Sequence, residues 1–159
     1  MAVPSFMKFT ILILLNALAI AQTAPTNVLT YSPLQTVTVK AGGTADATLS
    51  LKLDPAYHVN SNTPSDPYLI PLRLTWNPGP LETVEVVFPP PRTEKFGFSQ
   101  TPLSVFTGEF NITTRFKAIS TAALGTSVLT GKLRYQACND RTCLTPKTIE
   151  VTIPIEIVK

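Results

Sequence analysis

The sequence predicts an all-β protein with an immunoglobulin-like β-sandwich fold. Apolar and polar residues alternate with a period of two along most of the chain, which is typical of half-buried strands. The chain has 159 residues and 15 prolines, and prolines recurring about every ten residues exclude long helices. Roughly eight strands at intervals of about 10 to 20 residues indicate a sandwich, with a closed barrel as the alternative.

Turn and loop signals separate the predicted strands. Residues 22–33 predict an irregular lead-in, and the domain itself is expected at 34–159. Pairs of Gly and Pro predict turns at 41–43 and 77–80. The aperiodic stretch 92–102 predicts a long exposed loop. Alternation predicts strands at 34–39, 47–53, 57–59, 69–76, 81–88, 103–116 (one long strand or a bent pair), 127–138 and 148–158.

The first 21 residues predict a removable signal peptide. Lys8 supplies a positive start, residues 9–18 form an apolar run, and 19–21 match the Ala-x-Ala cleavage pattern. A membrane-spanning helix needs about 20 apolar residues, so a retained N-terminal anchor is the less favoured interpretation. No cysteine lies near the cleavage point to carry a lipid anchor. We therefore expect an exported chain in a compartment where disulfides persist.

Composition excludes several classes of function. The formal net charge is +3, with Lys and Arg scattered singly, which provides no basic stripe for nucleic acid. His58 is the only histidine, and both methionines, Met1 and Met7, lie in the leader. Met-rich copper sites and His-rich zinc sites are therefore excluded. Cys138 and Cys143 are the only side chains with obvious reactive chemistry.

Cys138 and Cys143 are separated by four residues in a predicted hairpin connection. A bridge closing a ring of about six residues would contribute roughly 2 kcal/mol through loop entropy, a small gain for a domain with an apolar core. Such a short ring is also easy to open and close. The spacing leaves three interpretations: a redox-active pair, a structural staple, or a metal site short of ligands.

Alternation on the strand before the pair predicts which face each side chain occupies. Leu133, Tyr135 and Ala137 share one face, and Gln136 and Cys138 share the other. If Leu133 and Tyr135 face the core, Cys138 projects from the opposite face. We expect a partner thiol to reach it there.

Several segments carry a family resemblance. The most specific is the run at 133–146, Leu-Arg-Tyr-Gln-Ala-Cys-Asn-Asp-Arg-Thr-Cys-Leu-Thr-Pro; the others are 57–62, 68–76, 88–91 and 94–97. Together they resemble the N-terminal periplasmic domain of the thiol:disulfide interchange protein DsbD, from about residue 30 to the end. The resemblance implies an immunoglobulin-like sandwich in which Cys138 and Cys143 are a redox-active pair. One would form a mixed disulfide and the other would resolve it.

The same resemblance implies a function and partners. It implies a periplasmic module that passes reducing equivalents to thioredoxin-fold periplasmic proteins, a protein-disulfide reductase type of exchange without metal or cofactor. Family proteins continue into a membrane domain and this chain ends at Lys159, so we expect a separate membrane thiol reductase as electron source, and a monomer. The family's cysteines can lie one residue further apart than these. The alternative is a non-catalytic secreted binding or adaptor domain with a structural disulfide.

The family also shields its cysteines with an aromatic-tipped cap loop. The matching stretch here contains Phe96, Gly97 and Phe98, with Phe96 as the preferred lid residue. An apolar ring over a disulfide excludes water and stray thiols, and a glycine beside it lets the loop move. The alternative is that Phe96 or Phe98 merely anchors a long loop.

Three further residues are candidate walls of the cysteine pocket: Tyr57, His58 and Tyr135. A lone histidine near a strand end is commonly a surface or hydrogen-bonded residue, and Tyr135 is equally suited to the core. These alternatives stay open at the level of sequence.

Overall fold

The computed structural model describes residues 27–159, so the predicted signal peptide and the first part of the lead-in lie outside the described residues. Within 27–159 no helix has the length and apolar character of a bilayer span. The secondary structure of this part consists of strands: β1 Leu29–Tyr31, β2 Val37–Lys40, β3 Thr44–Leu53, β4 His58–Asn60, β5 Arg73–Trp76, β6 Leu81–Val87, β7 Arg92–Glu94, β8 Leu103–Thr107, β9 Glu109–Ala118, β10 Gly125–Tyr135, β11 Ala137–Cys138 and β12 Lys147–Val158.

Two four-stranded sheets form the sandwich. One has the order β1-β3-β9-β6, and the other has the order β2-β12-β10-β5 with a parallel β2–β12 pair. Their inward residues form one apolar core, and Trp76 of one sheet meets Phe116 of the other edge to face at 5.4 Å. The indole Nε1 of Trp76 also donates to Thr114 Oγ1 at 3.0 Å. The predicted all-β, immunoglobulin-like sandwich is confirmed.

A third sheet of short strands, β11-β4-β8-β7, continues from the sandwich. Single residues connect two of its strands to the sandwich: Gly108 lies between β8 and β9, and Gln136 lies between β10 and β11. Gly108 has a φ of +63°, which only glycine adopts easily, so the predicted segment 103–116 is the bent pair. Phe106 of β8 stacks on Phe110 of β9 at 4.9 Å. One face of the third sheet therefore shares the sandwich core.

Four segments differ from their predicted structure, and one of them, the predicted strand 127–138, is divided at Gln136 into β10 and β11 of different sheets. The described part of the lead-in contains β1, which pairs with β3, and the predicted loop 92–102 begins with β7, which pairs with β8. Each has only three residues, too few for alternation to be visible, and each exists through its partner strand. The predicted strand 69–76 is reduced to β5, because Pro71 has no N–H for a ladder and Leu69 N–H bonds to Asp66 in a turn.

Candidate functional site

Cys138 and Cys143 form a disulfide at the edge of the third sheet. Their sulfurs are 2.00 Å apart and their Cα atoms 4.0 Å. The connecting turn is built around Asn139, whose Oδ1 accepts the backbone N–H groups of Arg141 and Thr142, both at 2.9 Å. The Asn139 N–H donates in turn to the Thr142 carbonyl at 2.9 Å. None of these bonds uses a sulfur atom, so the turn can hold the two cysteines opposite each other without the S–S bond.

The two cysteines differ sharply in exposure. Cys138 is 3% exposed, whereas Cys143 is exposed. A cavity of about 200 Å³ opens beside Cys143 and is lined by Phe98, Asn139, Arg141, Thr142 and Cys143. An external thiol can therefore approach Cys143, while Cys138 lies behind it.

The expectation that a partner reaches Cys138 is wrong. Alternation does put Cys138 on the face opposite Ala137, which lies beside Val59 in the core. That face is covered, however, by His58 and the loop that follows β7. Sequence alternation gives the face of a side chain but not what lies over it.

His58 lies directly opposite Cys138 in the antiparallel β4–β11 pair. Its side chain is buried and stacks on Phe96, with ring centroids 4.1 Å apart, and on Phe98 at 6.4 Å. Burial lowers the pKa of His58 below its ordinary value, and the negative charges of Glu94 and Asp140 oppose that shift. The imidazole is therefore neutral at pH 7.

The cap loop, residues 95–102, is held by its own hydrogen bonds. Lys95 Nζ donates to the carbonyl of Ser99 at 2.7 Å and also to that of Gln100. The Ser99 N–H donates to the Phe96 carbonyl at 3.1 Å. Such internal closure favours a loop that moves as one piece about its junctions with β7 and β8.

The two cap-loop rings occupy different places. Phe96 is half-buried on His58, while Phe98 is 52% exposed and lines the cavity at Cys143. The rings stack on each other with centroids 5.4 Å apart. Gly97 between them has open space around it. The structure thus puts one ring over the histidine and the other beside the accessible sulfur.

The remaining candidate residues, Tyr57 and Tyr135, lie away from this cavity. Tyr57 is partly buried against the core. Tyr135 is 2% exposed within the core, and burial raises the pKa of its phenol. Sequence reasoning missed Asn139, although asparagine is a typical residue for side-chain-capped turns and its position between the cysteines was a usable signal.

A second cavity adjoins the first across Phe98. It has a volume of about 470 Å³, and Phe98 and the 92% exposed Tyr68 both line it. The loop carrying Tyr68 is anchored to the third sheet: Ser61 Oγ and Ser104 Oγ are hydrogen-bonded at 2.8 Å, and Asn60 Nδ2 donates to the Ile70 carbonyl at 3.1 Å. The surface around Cys143 is therefore framed by two loops.

The distinctive chemical group at this end of the molecule is the Cys138–Cys143 disulfide. Between residues 27 and 159, no three His, Cys, Asp or Glu side chains cluster closely enough to hold a metal ion. The fold and the bridge define a β-sandwich domain that carries a disulfide with one exposed cysteine, Cys143. The chain belongs to the family of the N-terminal domain of the thiol:disulfide interchange protein DsbD, whose sequence model matches residues 26–154. The family resemblance seen in the sequence is thus confirmed.

Solved structures include similar folds. The N-terminal periplasmic domain of ScsB from Proteus mirabilis matches with a TM-score of 0.53 and 13% identity, over 79% of this chain and 44% of that one. This chain thus corresponds to less than half of the ScsB chain, and the likeness concerns the fold. The seventh ScaB type I cohesin from Pseudobacteroides cellulosolvens matches at 14% identity and a TM-score of 0.45, over 82% and 92% of the two chains. A search of curated protein sequences finds no significant match.

Proposed function

We propose that this domain passes reducing equivalents to a partner protein in the periplasm through Cys138 and Cys143. The observation that carries the proposal is the unequal exposure of the two cysteines: Cys143 is exposed and borders an open cavity, whereas Cys138 is 3% exposed. Thiol-disulfide exchange requires one accessible sulfur, which either attacks the partner or is attacked by it. A purely structural bridge needs no accessible sulfur. Family membership supports the same reading.

The exchange proceeds in two steps in the donating direction. The thiolate of Cys143 attacks one sulfur of the partner's disulfide, which forms a mixed disulfide and releases the partner's other sulfur as a thiolate. Cys138 then attacks the Cys143 sulfur, which closes the bridge and releases the second partner thiolate. The two thiol protons of the domain end on the two partner thiolates. Two electrons are transferred, and no cofactor is needed for this balance.

The geometry suits both steps. The hydrogen bonds of the Asn139 turn involve neither sulfur, so we expect the turn to persist in the reduced domain, where the resolving step is intramolecular and gains from proximity. Arg141 lines the cavity with Cys143, and a guanidinium near the sulfur favours its thiolate form. Cys143 is therefore the sulfur assigned to the mixed disulfide, and Cys138 the one assigned to resolution.

The cap loop controls access in this proposal. Phe98 narrows the approach to Cys143, Phe96 covers His58, and Gly97 gives the loop freedom at its tip. A docking partner displaces the loop as a unit, because the loop is closed by its own hydrogen bonds.

The partners are proposed from the family. Its name describes thiol:disulfide interchange, and the structurally similar ScsB domain is described as periplasmic. We assign thioredoxin-fold periplasmic proteins as electron acceptors and a membrane thiol reductase as donor. An exported location agrees with the leader predicted from the sequence.

A trapping experiment tests the proposal. The variant Cys138→Ser keeps the accessible thiol and cannot resolve, so it should accumulate a mixed disulfide with an oxidised thioredoxin-fold protein. The matched variant Cys143→Ser keeps only the buried thiol and should trap little or none. Mass spectrometry of the adducts, with circular dichroism to check the fold, measures both.

Two results would contradict the proposal. One is a wild-type bridge that no dithiol reduces under native conditions. The other is a Cys138→Ser variant that folds and forms no adduct. The adaptor alternative predicts something different for the double Cys→Ser variant, namely partner binding at wild-type strength with only slightly lower stability.

A further inference from the structure

A buried histidine lies beside the cysteine that a partner cannot reach. His58 and Cys138 are each 3% exposed and lie directly opposite each other on β4 and β11. Directly opposite residues of an antiparallel pair project from the same face, with Cβ atoms about 4.5 to 5.5 Å apart. The imidazole and the buried sulfur are therefore neighbours under the cap loop.

The imidazole of His58 is not engaged in the hydrogen-bond network of the described chain. Among residues 27–159 the ring stacks on Phe96 and Phe98, and its nitrogens make no hydrogen bond to another described residue. A neutral imidazole carries one nitrogen with a free lone pair. That nitrogen is available to a proton released next to it.

The environment of His58 favours a ring that is neutral at rest and can be protonated transiently. Burial lowers the pKa of His58, so the resting ring is neutral. Glu94, which ends β7, and Asp140, which follows β11, both place negative charge near the ring and raise the same pKa. Burial therefore keeps the base ready to accept a proton, and the two carboxylates stabilise its protonated form.

Cys138 needs such a base. A buried thiol is harder to ionise than an exposed one, because the thiolate loses its hydration. Only the thiolate attacks a disulfide at a useful rate. Water reaches Cys138 poorly, since its residue is 3% exposed. The resolving step is therefore slow unless a neighbouring group takes the proton.

We propose that His58 accepts the thiol proton of Cys138 in the resolving step. This inference rests on the exchange function proposed above. The proton passes to the free ring nitrogen, and the sulfur electron pair attacks Cys143. The Cys138–Cys143 bond forms while the bond from Cys143 to the partner breaks, and the partner sulfur leaves as a thiolate. The imidazolium then gives its proton to that thiolate through solvent, so charge and electrons balance. In the reverse direction the partner thiol gives its proton to His58 through solvent, and the imidazolium protonates Cys138 as it leaves.

The variant His58→Phe tests this role. It keeps an aromatic ring to stack on Phe96 and removes both ring nitrogens. Mixed-disulfide formation is followed by stopped-flow in a Cys138→Ser background, with and without His58→Phe, against an oxidised thioredoxin-fold protein. Partner release is followed in proteins that retain Cys138. We expect the first rate to be unchanged and the second to fall by about a hundredfold at pH 7, at the low end of general-base effects.

The pH profile separates proton transfer from a structural role. Wild-type release should rise with pH through the ionisation of His58 and then level off. In His58→Phe, release should rise only at the higher pH at which the thiol itself ionises, so the two rates converge in alkali. Thr107→Val is the matched control, because Thr107 flanks His58 on the other neighbouring strand. It should leave both rates and both profiles unchanged.

A second variant covers the case in which His58→Phe does not fold. His58→Gln retains a polar side chain without a group that titrates near neutrality, and it should show the same loss and the same altered profile. A folded variant of either kind with the wild-type release rate and pH profile overturns the proposal for His58. A folded Cys138→Ser protein that forms no mixed disulfide overturns the proposed exchange function instead, so the two failures are distinguishable.

Discussion

The sandwich and the third sheet are built from the same kind of strand but bury different kinds of side chain. In the sandwich, β12 alternates strictly, and its inward residues Val151, Ile153, Ile155 and Ile157 are at most 2% exposed. In the third sheet, β4 buries all three of its residues, and two of them, His58 and Asn60, are polar. Apolar burial stabilises the fold without directional demands, whereas buried polar groups need defined neighbours.

The difference arises from what covers each face. On β4, Val59 packs into the core, while His58 on the other face lies under Phe96 of the cap loop. Both faces of this short strand are therefore covered, one by rigid packing and the other by a loop. Most of the apolar core that stabilises the fold lies in the sandwich, whereas the disulfide lies in the third sheet. Variants in the sandwich should therefore change the free energy of unfolding, and variants in the third sheet should change the reactivity of the disulfide.

The largest expected effect on stability is in the sandwich. Phe116 on β9 is fully buried and packs against Trp76. Phe116→Ala should lower the free energy of unfolding by about 3–5 kcal/mol through lost burial and a cavity, as measured by urea denaturation. The folded fraction should still exchange thiols at the wild-type rate. A folded Phe116→Ala protein without exchange activity would contradict the separation of stability in the sandwich from disulfide reactivity in the third sheet.

A smaller effect on stability, with a clear effect on reactivity, is expected at the cap loop. Phe98 is half-exposed and lines the Cys143 cavity. Phe98→Ala should cost about 1 kcal/mol or less through the lost stacking contact. It should also speed reduction of the bridge by glutathione severalfold, because the sulfur becomes more accessible.

Tyr68→Ala is the control for this prediction. Tyr68 is 92% exposed and borders the neighbouring cavity, not the one at Cys143. Its removal should leave the glutathione reaction unchanged. Equal rates for Phe98→Ala and the wild type would show that this ring does not restrict access to the sulfur.

The smallest expected effect is a pH dependence of stability that comes from the third sheet. Because burial lowers the pKa of His58 in the folded state, the unfolded chain binds a proton first as the pH falls below about 6.5. The free energy of unfolding should therefore decrease below that pH, until the folded pKa is passed and the loss stops. Urea midpoints between pH 8 and pH 5 measure this loss. His58→Phe should lack this component, and an identical pH dependence in both proteins would contradict the assignment.

The sequence alone determined the architecture and singled out the two cysteines. Alternation and proline spacing are local properties, so they placed most strands and excluded helices before any contact was known. The two cysteines were identified by count and spacing, and the run 133–146 carried the family resemblance. Three-residue strands such as β1 and β7 were missed, because so short a segment is defined by its partner strand and not by its own pattern.

Only the tertiary structure decided which of the two cysteines is exposed. Alternation placed Cys138 on the face away from the core, but its burial depends on His58 and Phe96, which are distant in the chain. The same packing leaves Cys143 as the accessible sulfur. Exposure and pairing are properties of groups brought together from several strands. A pattern read along one strand therefore predicts which way a side chain points and not what covers it.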